Sequence, residues 1–248
     1  KRRKGIQMAQ KTDRRCFLAR GILGAAGMAA VHTSVEEDIL AAAVDEGTAK
    51  AREGQGVQTS INPDSLPKGK IGGVSMSRLL MGGNLIGGWA HSRDLMYASQ
   101  LFQSYNTESK IFETLELGQA CGIDTIQIDP RCWDPILKYN KSRQNKIQTM
   151  ICVPLKRDKA EMKEEIERQV ERGATLIYSH GGNTDSFMMK NGDMDVIAQM
   201  VELTKESGVP AGVGGHSLNM PKACEAHNVD ADYYVKTFHL DRYWSATP

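Results

Sequence analysis

The sequence lacks the features that mark several large classes of protein. Its formal net charge is +1 with 25% charged residues, so it has neither the basic excess of a nucleic-acid-binding protein nor an acidic tail. No run of 18 apolar residues occurs, and we expect no transmembrane helix in the mature chain. The five cysteines contain no C-x-x-C pair, which argues against a zinc cluster of thiolates and favours buried free thiols.

An export signal is predicted near the N-terminus. Arg14 and Arg15 precede Phe17-Leu18, and residues 21–31 form a short, weakly apolar stretch of glycine, alanine and a few larger side chains. A basic pair before such a stretch is typical of the twin-arginine signal. We therefore expect the twin-arginine export machinery to be a partner and the location to be periplasmic or otherwise extracytoplasmic.

Three regions follow from the change in composition along the chain. Residues 1–43 are the predicted twin-arginine signal region, in which Met8 is the expected start and residues 1–7 are upstream read-through. Ala41-Ala42-Ala43 offers a cleavage site. Residues 44–70 are rich in Gly, Ser, Lys and Pro without an apolar period and are predicted to be a linker. Residues 71–248 form the predicted folded domain.

Short apolar runs alternate with amphipathic segments after residue 71, as parallel strands and crossover helices do. Strands are predicted at residues 78–83, 123–128, 147–153, 174–179, 209–214 and 233–238. Helices are predicted at residues 107–121, 135–145, 159–171, 194–206 and 221–226. Each strand–helix unit has the length of a βα repeat, and no Gly-x-Gly-x-x-Gly follows the first strand. We predict an α/β fold, a (β/α)8 TIM barrel truncated after about six βα units, with the last two units missing.

Several segments resemble the aldo/keto reductase superfamily of TIM barrels. They are residues 78–84, 111–118, 122–125 and 174–180, the last with the sequence Ala174-Thr175-Leu176-Ile177-Tyr178-Ser179-His180. Residues 70–248 are also similar to a group of exported barrel proteins with a twin-arginine signal that carry Tyr234-Val235-Lys236-Thr237-Phe238-His239. The resemblance implies an oxidoreductase, with NADP as a cofactor only when the missing C-terminal strands are present.

The family's catalytic quartet of Asp, Tyr, Lys and His is not matched. The resemblance places Gln127 at the position of the family's aspartate, and residues 131–133 contain no tyrosine. The third strand has no clear lysine, since Lys156 lies just beyond it. Only His180 carries over as the active-site histidine. A neutral glutamine does not lower the pKa of a partner as a carboxylate does, so the usual acid relay is not implied.

A second site is predicted from topology, because catalytic residues of a barrel gather at the C-terminal ends of its strands. Asp129, His180, His216 and His239 each follow a different predicted strand. Alternation along the second strand turns Gln127 and Asp129 inward. Three imidazoles and a carboxylate are suitable ligands for a divalent metal such as Zn²⁺, Mn²⁺ or Fe²⁺. The same side chains also suit acid–base catalysis or the binding of substrate hydroxyls.

Lys236 is a further catalytic candidate if it points into the barrel, where burial would lower its pKa and favour Schiff-base or proton-transfer chemistry. If it points outward, it is expected to be a surface lysine or to pair with a carboxylate.

Other residues are predicted to bind substrate. Trp89 and His91 lie in a glycine-rich segment after the first strand, where the indole is expected to stack on a sugar ring or to pack as a lid. Gln127 and His216 are expected to meet the substrate from the barrel. Residues 181–185 are predicted to be a loop whose backbone N–H groups face a substrate oxyanion.

Three hypotheses for function follow. The first is an exported barrel enzyme that resembles aldo/keto reductases and acts on a small carbonyl or carbohydrate-derived substrate. The second is a metal-assisted sugar isomerase, epimerase or lyase, in which the ion polarises a carbonyl. The third is a non-catalytic sugar-binding barrel.

Overall fold

The computed structural model describes residues 61–89, 95–188 and 192–238. The chain divides into residues 1–56 and 57–248, and all described residues belong to the second unit. The predicted export signal, His91 and His239 lie outside the described residues. Among the residues that are described, no helix has the length and apolar character needed to cross a membrane.

Six parallel strands form one curled sheet, in which each strand pairs with the next one along the chain. They are numbered from β3, because a hairpin of two strands precedes them. Their bounds are Met81–Gly82 (β3), Thr125–Ile128 (β4), Gln148–Val153 (β5), Leu176–Ser179 (β6), Ala211–Gly215 (β7) and Tyr233–Lys236 (β8). Sequential strands are neighbours and run in the same direction, because a helix on the outside returns the chain between most of them. The prediction of an α/β fold of the TIM-barrel type is confirmed, with six parallel strands among the described residues.

Seven α-helices lie within the described residues. They are Ala98–Tyr105 (α1), Glu108–Ala120 (α2), Asp134–Ser142 (α3), Lys159–Glu171 (α4), Gly181–Ser186 (α5), Met194–Glu206 (α6) and Asn219–Ala226 (α7). The predicted bounds of α4 and α6 are those observed. The predicted N-cap of α2 is also confirmed, since the hydroxyl of Thr107 accepts a hydrogen bond from the Lys110 backbone N–H. Helix α1 was not predicted.

An antiparallel hairpin of Lys68–Ile71 (β1) and Val74–Ser77 (β2) precedes the sheet. Its turn is Gly72-Gly73, and both glycines have positive φ, at 53° and 85°, which two-residue hairpin turns require. Strand β1 starts at Lys68, inside the predicted linker and three residues before Ile71. Each strand of the hairpin has only four residues, and in β2 Val74 and Met76 alternate with serines.

The hairpin covers the N-terminal end of the parallel sheet. The Ser77 backbone N–H donates to Asp124 Oδ1 at 2.8 Å, and Gln148 Nε2 donates to the Ser75 carbonyl at 2.9 Å. Asp124 and Gln148 stand at the beginning of β4 and β5, and Met76 packs inside the sheet. The opposite end, where the strands finish, carries the polar side chains described below.

Two apolar layers lie on the two faces of the sheet. The layer under the helices includes Ile126 and Ile128 of β4, as the alternation predicts. The inner layer consists of Met76, Met150, Cys152, Leu176, Tyr178 and Tyr233. Gly212 and Gly214 of β7 give these rings room. A Cβ on Gly212 would lie 2.4 Å from the Tyr233 ring, and one on Gly214 would lie 2.9 Å from the Tyr178 ring.

Candidate functional site

Three candidate residues stand at the C-terminal ends of the strands. Asp129 directly follows β4, His180 follows β6 and His216 follows β7. Active sites of (β/α)8 barrels are built at this face, because the loops after the strands converge there. Asp129 and His180 line the same cavity, and the Cβ position of Gly181, which follows His180, is 3.1 Å from His216 Cε1.

His216 is bound by a buried carboxylate, that of Asp185 in α5. Asp185 Oδ2 lies 2.6 Å from His216 Nδ1, and the His216 backbone N–H donates to both carboxylate oxygens at 3.1 and 3.2 Å. The Asp185 side chain has no solvent exposure. A carboxylate on Nδ1 fixes the tautomer and orientation of an imidazole and stabilises its protonated form.

Helix α5 positions this carboxylate. The predicted role of the backbone N–H groups of residues 181–185 at a substrate oxyanion stays a prediction. The Thr184 hydroxyl lies 2.7 Å from the Ser179 hydroxyl, and the Gly214 backbone N–H donates to Ser179 Oγ at 3.2 Å. These bonds fasten α5 to β6 and β7. A Cβ on Gly181, at the start of the helix, would lie 3.1 Å from His216 Cε1, so a side chain there would require the imidazole to shift slightly.

His180 is half-buried and lies between opposite charges. Burial lowers its pKa most, Asp129 opposes this effect, and Arg131 and His216 lower the pKa further, so that the result lies below the ordinary value. Its Nδ1 is buried without a hydrogen-bond partner among the described residues. His180 is therefore neutral at pH 7, in which state one of its ring nitrogens can donate a hydrogen bond and the other can accept one.

The substitution Asp129→Asn is expected to lower the pKa of His180 further. It removes the negative charge that favours the imidazolium, while the positive charge of Arg131 stays nearby. The measurement is an NMR titration of the ¹⁵N-labelled imidazoles. Asp230→Asn, at a carboxylate that is 93% exposed, should leave the His180 titration unchanged. An unchanged or higher pKa in Asp129→Asn would contradict the arrangement of charges.

Asp129 and Arg131 form a bidentate ion pair. Arg131 Nε donates to Asp129 Oδ1 at 2.9 Å, and Nη2 donates to Oδ2 at 2.8 Å. Burial opposes ionisation of Asp129, but the hydrogen bonds and charge of Arg131 outweigh it and hold the pKa below its usual value. The guanidinium also lies 4.5 Å from the centre of the Trp89 ring. One face of Trp89 thus stacks on Arg131, and its predicted role in stacking on a sugar stays a prediction.

Gln127 lies inside the sheet and donates a hydrogen bond to the hydroxyl of Tyr178. Cys152 lies beside them, with Sγ 3.7 Å from Asp129 Oδ2. Burial, with the charge of Asp129, raises the pKa of this thiol to about 12, so it is not a nucleophile at neutral pH. Gln127, Tyr178 and Cys152 are therefore neighbouring polar groups inside the sheet, and Cys152 contacts Asp129. The predicted contact of Gln127 with substrate stays a prediction.

Lys236 does not have the orientation on which its proposed catalytic role depended. On β8, Tyr233 belongs to the inner layer and Val235 packs against it, whereas the Tyr234 hydroxyl donates to Glu225 of α7 at 2.7 Å. Lys236 shares the outward parity of Tyr234, and its Nζ donates to the Thr237 carbonyl at 2.7 Å. A buried Schiff-base lysine at this position is therefore not supported.

The described residues of the predicted metal site do not form a group that could hold a metal ion. Within residues 61–89, 95–188 and 192–238, no three His, Cys, Asp or Glu side chains are placed to hold an ion. Both oxygens of Asp129 bind Arg131, and His216 Nδ1 binds Asp185. Because His239 is outside the described residues, the four-ligand site with Asp129, His180 and His216 stays a prediction.

A cavity of about 530 Å³ opens beside Asp129 and His180, and neither Asp185 nor His216 is among its lining residues. Asp129, Arg131, Cys152, His180 and Asn183 line its part at the strand ends, and residues of α4 line the rest. This volume is in the range of small-molecule sites. The cavity thus places an ion pair and a neutral imidazole on the wall of a space large enough for a sugar.

No protein-family model matches the chain, and no curated protein matches it. Two solved structures of candidate aldo-keto reductases from Pseudomonas aeruginosa are similar in fold. The first has a TM-score of 0.52 and 16% identity over 74% of this chain and 72% of that chain. The second has a TM-score of 0.50 and 17% identity over 72% of this chain and 70% of that chain. The likeness is one of fold. It agrees with the barrel topology and leaves the chemistry to the residues at the strand ends.

Sequence reasoning missed Asp185, which it treated only as part of a loop. Its partner lies 31 residues away, and no motif with fixed spacing links the two. The signal in the sequence was an aspartate shortly after His180, which itself follows a strand, within a segment of small residues. Small residues allow such a segment to pack closely against a neighbouring strand.

Proposed function

We propose that the chain is a barrel enzyme that transfers a proton on a small carbonyl or carbohydrate-derived substrate. The observation that carries this proposal is the bond between buried Asp185 and His216 Nδ1, beside a second imidazole of lowered pKa. Pairs of titratable groups whose environments differ in this way are typical of acid–base sites. Export by the twin-arginine route is part of the proposal and rests on Arg14-Arg15 alone.

The carboxylate of Asp185 sets the direction of proton transfer. It accepts the Nδ1–H of His216, so that Nε2 has the lone pair that can remove a proton from the carbon next to a carbonyl. The electron pair of the broken C–H bond moves toward the carbonyl oxygen. An N–H of neutral His180 stabilises that oxygen. Return of the proton from Nε2 to the opposite face of the same carbon gives an epimer. Return to the former carbonyl carbon gives an isomer, provided that the proton of the neighbouring hydroxyl passes to the former carbonyl oxygen.

Asp129 and Arg131 contribute charge and position. The ionised carboxylate accepts hydrogen bonds from substrate hydroxyls, since an anionic carboxylate has more acceptor sites than Arg131 occupies. Arg131 is held between Asp129 and Trp89. It therefore places a positive charge at a defined position on the wall of the cavity, although its side chain is 69% exposed.

Carbonyl reduction is the second candidate function, favoured by the fold shared with the two candidate aldo-keto reductases. In that case His180 or His216 supplies the proton to the carbonyl oxygen, and a nicotinamide cofactor supplies the hydride. Gln127 cannot act as the carboxylate of the usual relay. This difference makes proton transfer without a nicotinamide the function that the residues support better.

Exchange of substrate protons with D₂O tests the proposal. Aldoses, ketoses and 2-hydroxy aldehydes are incubated with the full chain in D₂O without nicotinamide, and loss of the proton signal at the carbon next to the carbonyl is followed by NMR. We expect exchange or isomerisation with at least one class. His216→Gln should slow it by about 10²- to 10⁴-fold, because a general acid–base group contributes about that factor.

His227→Gln is the matched control, since His227 is exposed at the end of α7, and it should keep the full rate. Other outcomes assign the chain to a rival function. A change that requires a nicotinamide supports reduction, exchange that is lost with chelator and restored by a divalent ion supports metal-assisted isomerisation, and sugar binding without any turnover supports a binding barrel. Each of these would overturn the proposal.

A further inference from the structure

One face of helix α4 continues the wall of the cavity away from the strand ends. Glu165, Arg168 and Gln169 lie on this face, and Arg172 at the C-cap follows at the same spacing. Positions i, i+3, i+4 and i+7 share a side of a helix. The proposed proton transfer uses none of these four residues, although they line the same cavity as Asp129 and His180.

The cavity has an excess of positive charge. Its lining contains three arginines and two carboxylates, with His180 neutral. Arg131 is paired with Asp129, and Arg168 is paired with Glu165. Arg172 is the lining arginine that has no carboxylate partner among the lining residues.

Two contacts hold the Arg172 side chain in addition to its ion pair with Asp134. Its guanidinium lies 4.8 Å from the centre of the ring of Trp133, which is fully buried. Nη1 donates to Gln169 Oε1 at 3.3 Å, and Nη2 donates to Asp134 Oδ1 at 3.0 Å. Stacking and the amide orient the planar group before any ligand arrives, which reduces the entropy lost on binding.

The ion pair with Asp134 does not neutralise Arg172 in the manner of a buried pair. The Asp134 side chain is 80% exposed, whereas that of Arg172 is 30% exposed. An ion pair with a solvated carboxylate is weak. An anionic group inside the cavity can therefore replace or add to this partner, and the forked guanidinium suits the two oxygens of a carboxylate or phosphate.

We propose that Arg172, assisted by Arg168, binds an anionic group of the substrate, so that the substrate class is a sugar acid or a phosphorylated sugar. The inference rests on the proposed function for the position of the reacting carbonyl near Asp129 and His180. It adds that the carbonyl and the anionic group of the substrate bind in different parts of the same cavity. The carbonyl lies at the strand ends, and the anionic group lies beside α4. A neutral sugar lacks the group that Arg172 recognises and binds more weakly.

Binding measured by calorimetry tests this inference without requiring turnover. The probes are glucuronate for a carboxylate, glucose 6-phosphate for a phosphate, and glucose as the neutral counterpart, all with the full chain at low ionic strength. We expect at least one anion to bind at least about tenfold more tightly than glucose, since charge-assisted bonds to a guanidinium are worth that much. Added NaCl should reduce the preference, and Arg172→Gln should abolish it.

Arg143→Gln is the matched control. Arg143 also stacks on an aromatic ring, 5.3 Å from the centre of Tyr139, and pairs with Glu116, but it does not line the cavity. This variant should keep the preference for the anion. If circular dichroism shows that Arg172→Gln is unfolded, Arg168→Gln decides, with an expected partial loss of the preference.

Equal binding of glucose and both anions by the wild type, or an unchanged preference in the folded arginine variant, would overturn the inference. Its failure is distinguishable from failure of the proposed function. His216→Gln should keep the anion preference while it loses proton exchange. Anion binding without exchange in the wild type would remove the proposed reaction and leave the anion site, whereas exchange on neutral sugars that is insensitive to Arg172→Gln would do the reverse.

Discussion

Asp185→Asn is expected to lower the rate of substrate proton exchange by about 10²- to 10⁴-fold while the fold is retained. The amide oxygen can still accept the hydrogen bond that the His216 backbone N–H donates at 3.1 Å. The amide nitrogen then faces His216 Nδ1, which must accept rather than donate. The ring proton moves to Nε2, and the nitrogen that should remove the substrate proton has no lone pair for it.

The measurement is the exchange rate in D₂O, together with the chemical shifts of the His216 ring nitrogens, which report the tautomer. Asp195→Asn makes the same chemical change at an exposed position in the first turn of α6 and should keep the wild-type rate. A folded Asp185→Asn variant with the full rate would show that the carboxylate is structural and that His216 is not oriented through it.

Gly214→Ala is expected to destabilise the barrel by about 1–3 kcal/mol, the usual cost of an overpacked core. The new Cβ would lie 2.4 Å from the Ser179 carbonyl oxygen and 2.9 Å from the ring of Tyr178. The carbonyl belongs to the neighbouring strand, so relief requires β6 and β7 to separate. The same movement would loosen the bond between the Gly214 N–H and Ser179 Oγ that helps to hold α5.

Urea unfolding measures this effect through the midpoint at constant m-value. Gly82→Ala is the control within the same sheet, because a Cβ on Gly82 meets nothing within 4 Å. It should be neutral or slightly stabilising, since alanine restricts the unfolded chain more than glycine does. Equal stability of Gly214→Ala and wild type would mean that β6 and β7 are further apart than the structure shows.

Local patterns were enough to predict the barrel. Helices α4 and α6 have clear helical periodicity with glycine after the C-terminal end, and their observed bounds are the predicted ones. The order of the strands then placed Asp129, His180 and His216 at one end of the sheet, because successive parallel strands finish at the same edge. These conclusions required only the period of the apolar residues and the topology of a βα repeat.

The remaining features depend on contacts between distant parts of the chain. Helix α5 begins with two glycines, which disfavour a helix, and is held by bonds to the neighbouring strands. The partner of His216 and the stacking of Arg172 on Trp133 follow from how α5, α4 and the segment after β4 pack. The sequence left both orientations of Lys236 open, because alternation alone does not set the phase of a strand.

The hairpin that covers the N-terminal end of the sheet also constrains the order of folding. It joins its own strands through a two-residue turn, yet its bonds to the sheet reach Asp124 and Gln148, at sequence separations of 47 and 73 residues. The ring of Pro210 also fits against the hairpin turn, at 2.6 Å from the place where a Cβ on Gly72 would lie. Contacts that close such long loops become favourable only after the intervening chain is ordered. We therefore expect the two hairpin strands, which are synthesised before the strands of the parallel sheet, to dock only after that sheet has formed.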